Sequence, residues 1–315
     1  SYTDVLNPRY DNKVHANPLS AGGFNISYIA LNTFFEVHDP NVISSQFKAF
    51  ESYRADISRR VAANNGYWSD PAFGKSALTK EGYAVGYGKY AQDVLIPAFI
   101  AAYTGQDPKK INLLNQNNSS IRSNPFSGML PKPNWTILSE LFTNITLTHG
   151  YNSNLSMNSF TSSLLYTDIY RRGAPSFKDS ISGNYVPYFL VPNITISERM
   201  EPLLGLNLTT VTQWSLRFEY KKSRILSLSL VDYQLSENNS TEWVFGTAYR
   251  KRGVKLPFNI PGLNSNKLSN DLTFRLDLST RDMFNSNSRL DQSNAYGTGG
   301  QREITIQPSI DYVLN

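Results

Sequence analysis

Residues 272–279 read Leu-Thr-Phe-Arg-Leu-Asp-Leu-Ser, and this stretch decides the fold. Its even-numbered positions are apolar and its odd-numbered positions are polar. Because successive side chains of a β-strand point to opposite faces, the stretch predicts a strand with one apolar and one polar face. A shift of one residue would exchange the two faces, so the pairing register is well specified.

The same alternation returns along the second half of the chain. The clearest further run covers 214–221, and weaker runs cover 145–151, 194–208, 226–230, 241–250 and 302–314. Many of these runs approach the roughly 9 to 11 residues that a tilted membrane-spanning strand needs. Pro308 predicts a sheet edge, a bulge or a gap in the last run, because proline cannot donate to a strand ladder. Polar connectors are predicted at 236–240, 255–270 and 282–300.

We therefore predict an all-β fold, namely a segment of a very large transmembrane antiparallel β-barrel with an amphipathic helical insertion. The residues predicted to face lipid are Trp214, Leu216, Phe218, Tyr220, Leu272, Phe274, Leu276 and Leu278. The residues predicted to face a water-filled lumen are Arg217, Glu219, Arg275 and Asp277.

Composition agrees with two-faced strands. Only 17% of the 315 residues are charged, yet the mean hydropathy is −0.37. A barrel explains both values, since its strands alternate between lipid and water. Aromatic residues make up 13% of the chain, which suits the aromatic girdles of such barrels. No apolar run approaches the roughly 18 residues of a helical span, so helical membrane proteins are excluded.

Charge and cysteine content exclude several other classes. The net charge of +5 is thinly spread, which argues against a nucleic-acid partner. The densest basic clusters, 221–224 and 250–252, border strand patterns and are interpreted as solvated strand ends. The chain has no Cys, which excludes disulfide frameworks and thiolate metal sites.

The first part of the chain has a different pattern of apolar residues. Residues 42–63 have apolar side chains at helical spacing, with charged residues between them, and predict an amphipathic helix. Residues 24–35 predict a strand. Residues 82–88 (Gly-Tyr-Ala-Val-Gly-Tyr-Gly) predict a strand packed against a neighbouring backbone rather than a phosphate loop. The apolar run 94–103 stays undetermined, and Pro97 argues against a long helix there. We predict barrel strands with helical and loop insertions over 1–130, and transmembrane strands over 131–315.

The sequence predicts no catalytic, cofactor-binding or metal-binding residues. The three His residues, His15, His38 and His149, are far apart, and none has a second ligand at helical metal-ligand spacing. His149 is interpreted as a strand-end residue. We therefore expect a protein that is not an enzyme and that uses no cofactor.

Several strings, occurring in order, resemble one family. They are residues 23–28 (Gly-Phe-Asn-Ile-Ser-Tyr), 94–105, 147–151, 194–205 (beginning Ile-Thr-Ile-Ser-Glu-Arg-Met-Glu-Pro) and 218–229. Together they look like the C-terminal part of the SprA/Sov family, the giant outer-membrane barrels of type IX secretion and gliding motility in Bacteroidetes. None of the strings is a catalytic motif.

The resemblance implies a localisation and a set of partners. A member of this family lies in the bacterial outer membrane and forms the pore through which folded cargo proteins with C-terminal sorting signals pass. It contacts outer-membrane lipid, a PorV-like barrel protein, a plug and periplasmic accessory subunits. The chain ends at Asn315 without the further hairpin and terminal aromatic residue expected from the family. It is therefore expected to be a fragment whose open edges pair with the remainder of the same barrel chain.

Two other function classes fit parts of the pattern. An outer-membrane porin or uptake receptor would share the strand patterning but handle small ligands. A soluble β-sandwich adhesin would use the apolar faces for a dry protein core.

Overall fold

The computed structural model describes residues 2–5, 19–27, 30–36, 42–73, 76–113, 141–254, 271–292 and 295–312. Three α-helices and ten strands are present in these ranges. The helices are α1 (Leu31–Phe34), α2 (Ser45–Asn64) and α3 (Gln92–Thr104), with a short 3-10 turn at Pro71–Phe73. The strands are β1 (Tyr2–Val5), β2 (Leu19–Ser27), β3 (Phe142–Thr148), β4 (Tyr151–Ser162), β5 (Phe189–Leu190), β6 (Asn193–Thr210), β7 (Trp214–Ser229), β8 (Gln234–Arg252), β9 (Asp271–Arg289) and β10 (Ala295–Tyr312).

All ten strands form one sheet. The order is β1-β2-β4-β6-β7-β8-β9-β10, every pairing is antiparallel, and β5 pairs with the end of β4. Strand β3 pairs with residues 205–210 of β6 and β4 pairs with residues 195–200, so β3 and β4 together act as one bent strand. The protein is thus mainly antiparallel sheet with few helices, as the predicted all-β fold requires.

The strands are much longer than a bilayer requires. Strands β8 and β9 each have 19 residues, which corresponds to roughly 60 Å at about 3.3 Å per residue. Their mutual register is unbroken from Gln234↔Arg289 to Arg252↔Asp271. Each long strand therefore has two halves, and the two halves meet different surroundings.

One half of the sheet is covered by a helical unit, which we define as α1, α2, α3 and the described residues of 30–113 that join them. Ser44 begins α2 by accepting the N–H of Phe47 at 3.1 Å, and Phe47, Phe50 and Ile57 are buried. Helix α3 is buried from Val94 to Thr104 and is therefore apolar all round, as expected of a central helix. Both helices pack on one face of β4, β6, β7 and β8. The sheet contributes Leu155, Ile194, Ile196, Leu226, Leu228 and Leu235 to this core.

A buried polar cluster joins α1 to the sheet. Arg224 of β7 is 4% exposed and Glu198 of β6 is fully buried. Arg224 Nε donates to Glu198 Oε2 at 2.9 Å, and its two terminal nitrogens donate to the carbonyl and hydroxyl oxygens of Thr33 at 3.0 and 2.9 Å. Tyr151 donates its hydroxyl to Glu198 Oε1 at 3.1 Å and accepts the N–H of Ala30. The interpretation of 221–224 as a solvated strand end is therefore wrong for Arg224, whose charge is compensated in the interior.

A second link joins α2 to the turn after β9. Arg54 is 2% exposed and donates to Asp291 Oδ1 at 2.8 Å. Asp291 donates its own N–H to Glu51 Oε1 at 2.8 Å. Burial opposes ionisation of Asp291, but the hydrogen bonds from Arg54 and Tyr90 outweigh it and hold the pKa of Asp291 below its ordinary value.

The strand predicted over 24–35 is only partly correct. Strand β2 ends at Ser27, and residues 31–34 form the single helical turn α1. Asn32 and Thr33 donate to the carbonyl oxygens of Thr104 and Tyr103 at the end of α3. These tertiary hydrogen bonds hold the segment in a turn despite its strand-like composition.

The strand predicted over 82–88 is wrong. This segment contains one isolated bridge, Leu78↔Ala84, and otherwise turns. Gly82 and Gly86 have φ values of 84° and 95°, which a strand does not allow. The close contact at Gly86 is with a side chain and not with a neighbouring backbone as predicted, because a Cβ there would lie 2.6 Å from the Tyr185 ring.

Two predicted connectors are strands. Residues 236–240 lie within β8, and 282–300 includes the end of β9 and the start of β10. Their Ser and Asn side chains break the apolar alternation, yet the backbone ladder continues through pairs such as Ser236↔Asn287. The connector predicted over 255–270 and the domain boundary at 130 lie outside the described residues.

The two proline positions behave differently. The apolar run 94–103 is helical and contains Pro97 inside α3. Burial of the whole run stabilises the helix, although Pro97 has no N–H to donate to it. Pro308 lies in β10 opposite Leu276, and the pairing of β10 with β9 shows no bulge or gap at this position. Helix α2 agrees closely with the helix predicted over 42–63. In the described ranges, no helix combines the length and apolar character that crossing a membrane would demand.

Candidate functional site: an apolar belt backed by a polar face

The half of the sheet that lies beyond the helical unit carries rows of apolar side chains on one face. Cross-strand partners define each row. One row crosses six strands and consists of Leu147, Leu206, Phe218, Phe245, Leu278 and Ile306. The adjacent row is Ile145, Leu208, Leu216, Thr247, Leu276 and Pro308. We call this surface the apolar belt.

Two further rows complete the belt and are rich in aromatic rings. On the side near the helical unit the row is Leu204, Tyr220, Trp243, Thr280 and Ile304. On the far side it is Trp214, Tyr249, Phe274 and Ile310. Trp214 stacks on Tyr249 with ring centres 4.7 Å apart, and Tyr220 contacts Trp243 at 4.3 Å. Tyr220 lies six positions after Trp214 in β7, so the two aromatic rows are about 20 Å apart along the strands.

Twelve belt side chains are exposed, while others, such as Leu206 and Phe218, are of intermediate exposure. Phe245 is 50% exposed and Ile306 is 64% exposed. With rows about 6.8 Å apart and strands about 4.8 Å apart, the four rows project onto roughly 500 Å². The largest apolar patch on a typical soluble monomer measures about 300–600 Å² and often marks an interaction surface, so the belt is a candidate interaction surface. A shallow groove of about 340 Å³ lies over Thr247, because this side chain is smaller than its neighbours Leu216 and Leu276.

The opposite face of the same strands is polar. Five charged residues form a chain of alternating sign across β7, β8 and β9, namely Arg217, Glu219, Lys221, Glu242 and Arg281. Arg217 Nε donates to Glu219 Oε1 at 2.8 Å, and Arg281 Nη2 lies 2.6 Å from Glu242 Oε2. Positive and negative charges are therefore paired along this face.

The structure groups the predicted residues by face. Trp214, Leu216, Phe218 and Tyr220 share the belt with Phe274, Leu276 and Leu278, while Leu272, on the same face by alternation, is only 7% exposed. The four residues predicted to face a lumen share the polar face. Arg217 contacts Glu219 directly, Asp277 lies across Gly246 from Arg217, and Arg275 lies 3.4 Å from Asp311 of β10.

Sequence reasoning placed Arg217, Glu219 and Lys221 on one face of a strand but missed their link to Glu242 and Arg281 and the rows that form the belt. Lys221, Glu242 and Arg281 each continue the polar parity of their strand, so the alternation carried the signal. Their contact depends on register across three strands, which a single strand pattern does not contain. The same limit applies to Phe245 and Ile306, whose position in one row follows only from the pairing.

Potential metal ligands are scattered in the described residues. In these parts of the chain, no group of three or more His, Asp or Glu residues could hold a metal ion, and His15 and His38 lie outside them. His149 lies between β3 and β4, with Nδ1 2.6 Å from the carbonyl oxygen of Leu203. A groove of about 660 Å³ beside the helical unit is lined by Phe160, Tyr185 and Asp179, among others. Asp179 accepts the N–H of Ser182 within its own turn, which lowers its pKa.

No family model matches the chain, and no curated protein matches it.

Proposed function

We propose that the chain forms part of the wall of an outer-membrane β-barrel, and that this barrel is a protein-conducting pore of type IX secretion. The observation that carries the membrane part is the exposed apolar belt on strands whose other face is polar. Twelve belt side chains are between 37% and 69% exposed. Burying one such side chain fully is worth about 1.5–3 kcal/mol, so leaving them in water costs on the order of 10 kcal/mol. Lipid removes this cost.

The order of the rows supports contact with a bilayer, because two apolar rows lie between two aromatic rows. Outer-membrane barrels have an apolar band about 25 Å tall, flanked by aromatic girdles. The Trp214–Tyr249 and Tyr220–Trp243 pairs bracket the apolar rows in the same manner. The belt residues then face lipid, and Arg217, Glu219, Arg275 and Asp277 face a water-filled lumen.

The edges of the sheet support a larger barrel. Strand β10 has 18 residues and carries exposed Ile304, Ile306 and Ile310 on the belt face. Open strand edges are not stable in hydrocarbon, because their backbone groups lack partners. In the proposed barrel, β1 and β10 pair with further strands of the same wall.

The protein-conducting role rests on the family resemblance of the strings at 23–28, 94–105, 147–151, 194–205 and 218–229. The charge-paired polar face is compatible with this role, because a lining without one dominant sign of charge would not retain cargo of either sign. The partners would be secreted cargo with C-terminal sorting signals, a PorV-like barrel protein, a plug and periplasmic accessory subunits.

Depletion of the protein in its native cell tests the transport role. We expect sorting-signal cargo to accumulate in the periplasm, while an unrelated outer-membrane protein still assembles as a control for membrane integrity. Complementation with the wild-type gene should restore export. Unchanged export after full depletion would remove the transport role.

An uptake barrel for small ligands is the second candidate, because the belt suits it equally well. Depletion would then reduce uptake of a small solute and leave protein export unchanged. A soluble β-sandwich adhesin requires the belt to be covered by protein. Purification without detergent separates this class, since a soluble fold should remain monodisperse and an exposed belt should cause aggregation.

A further inference from the structure

The helical unit and the apolar belt lie on the same face of the sheet. In β7 the even-numbered residues run without interruption from the belt (Leu216, Phe218, Tyr220) to the core under the helical unit (Leu226, Leu228). The register with β8 is constant over this whole length, so the strand does not change face. If the belt faces lipid, the helical unit lies outside the barrel wall and beyond one edge of the bilayer, and not in the lumen.

The part of the helical unit nearest the belt is the α1 turn. Thr33 binds Arg224, which is two rows beyond the aromatic row of Tyr220. Between these rows lies Lys222, whose Nζ is 5.1 Å from the ring centre of Phe34 and 5.5 Å from that of Phe35. The Phe34 ring centre also lies 5.8 Å from the guanidinium carbon of Arg224. This ring therefore contacts the side chains of the first and second rows beyond the aromatic row of Tyr220, and successive rows are about 6.8 Å apart.

The chemistry of this turn differs from that of an ordinary loop. Phe34 is buried, whereas Phe35 is 52% exposed beside a lysine. The carboxylate of Glu198, on the neighbouring strand, is occupied by Arg224. Lysine side chains lay their apolar stems along apolar surface and keep the charge in water, and Phe side chains of membrane-surface segments enter the boundary between headgroups and lipid chains.

We propose that the α1 turn is a membrane-surface contact, in which Phe35 enters the headgroup region and Lys222 faces lipid phosphate groups. This inference rests on the proposed membrane position of the belt. The occupant is the lipid surface itself, because only the polar row of Lys222 lies between the turn and the aromatic row of the belt, and the cation of this row complements phosphate. The helical unit is then held at a fixed height against the bilayer, in addition to its attachment through Arg224.

The absence of Cys allows a direct test by site-directed spin labelling. Three single-cysteine variants, Phe35→Cys, Phe245→Cys and Ile181→Cys, are labelled with a nitroxide in the protein reconstituted into phosphatidylglycerol-containing bilayers. Phe245 marks the belt, and Ile181, which is 95% exposed, marks a distant loop. Collision with oxygen, which is enriched in lipid, and with a water-soluble nickel chelate gives the depth of each label.

We expect label 245 to be deep, label 181 to be in water, and label 35 to lie at the headgroup level between them. If label 245 is deep and label 35 is as accessible to nickel as label 181, the surface contact is wrong and the membrane wall stands. If label 245 is also in water, both proposals fail. Protection of label 35 from both reagents would indicate a protein partner and would equally overturn the proposal.

Lys222 has a matched control in its sequence neighbour. Lys222→Gln, in the Phe35→Cys background, should increase collision of label 35 with the nickel chelate, because the phosphate contact is lost. Lys221→Gln should leave it unchanged, since Lys221 lies on the polar face beside Glu219 and Glu242. Equal responses of the two variants would exclude a specific role for Lys222.

Discussion

At the scale of single residues, Leu276 and Ser279 lie on opposite faces of the same strand. Leu276→Arg places a charge in the middle of the apolar belt, and in a lipid-facing position near the midplane we expect a loss of about 2–4 kcal/mol in the free energy of unfolding. Ser279→Arg on the polar face should be tolerated. Denaturant titration of both variants in lipid checks this, and equal tolerance would contradict the assigned orientation.

Arg224 and Glu198 form a buried pair whose partners depend on each other. Arg224→Met leaves the fully buried Glu198 without its cation, and we expect it to cost about 3–5 kcal/mol of stability. The double variant Arg224→Met/Glu198→Met should be more stable than Arg224→Met, because no buried charge remains unpaired. Arg302→Met, which removes an exposed partner of Asp282, should cost no more than about 1 kcal/mol. Additive losses in the double variant would contradict the coupling.

Acid should weaken the attachment of α2 to the turn after β9, because this attachment uses the ionised carboxylate of Asp291. Its pKa is lower in the folded protein than the ordinary value of about 3.9, so its contribution is present above that pH and is lost as the pH falls through the lower folded value. The link should therefore persist at neutral pH and weaken below about pH 4. Comparison of unfolding midpoints at pH 7 and pH 3 should show a smaller acid effect in Asp291→Asn than in the wild type. An identical acid effect would exclude this role.

At the scale of elements, the bend between β3 and β4 depends on a close contact at Gly205 of β6. A Cβ there would lie 2.8 Å from Pro202 Cγ and would also overlap the Thr148 hydroxyl. We expect Gly205→Ala to destabilise the sheet by about 1–3 kcal/mol through overpacking. Gly300→Ala in β10 is the matched control, because its nearest atom lies at an ordinary 3.4 Å. Equal stability of the two variants would contradict the tight contact.

Sequence reasoning succeeded for strands whose apolar and polar side chains alternate strictly, so that each face of the strand has one character. Strands β7 and β9 were predictable around Leu216 and Leu276 because apolar and polar positions alternate strictly. Residues 236–240 and 285–289 were not, because their side chains on both faces are polar and only pairing with the neighbouring strand keeps the backbone extended. The α1 turn depends on hydrogen bonds from Asn32 and Thr33 to the end of α3, which no local pattern contains.

At the scale of the whole molecule, the long strands join two environments on one face. Near the helical unit the face encloses a protein core that includes Leu226 and Leu228, and farther along the same strand it is the open belt. The candidate surface could be predicted from alternation alone, but its extent across six strands could not. The apolar side chains of the core and of the belt follow the same pattern and differ in whether the helical unit covers them. This coverage depends on the tertiary structure, which a strand pattern does not contain.

The most direct test of the membrane wall is a density map of the protein in a lipid nanodisc. We expect bilayer density centred on the row from Leu147 to Ile306, with the helical unit outside the bilayer at the end marked by Tyr220 and Trp243. A map in which this row is enclosed by a second layer of protein, with no lipid against Phe245 and Leu278, would contradict the account.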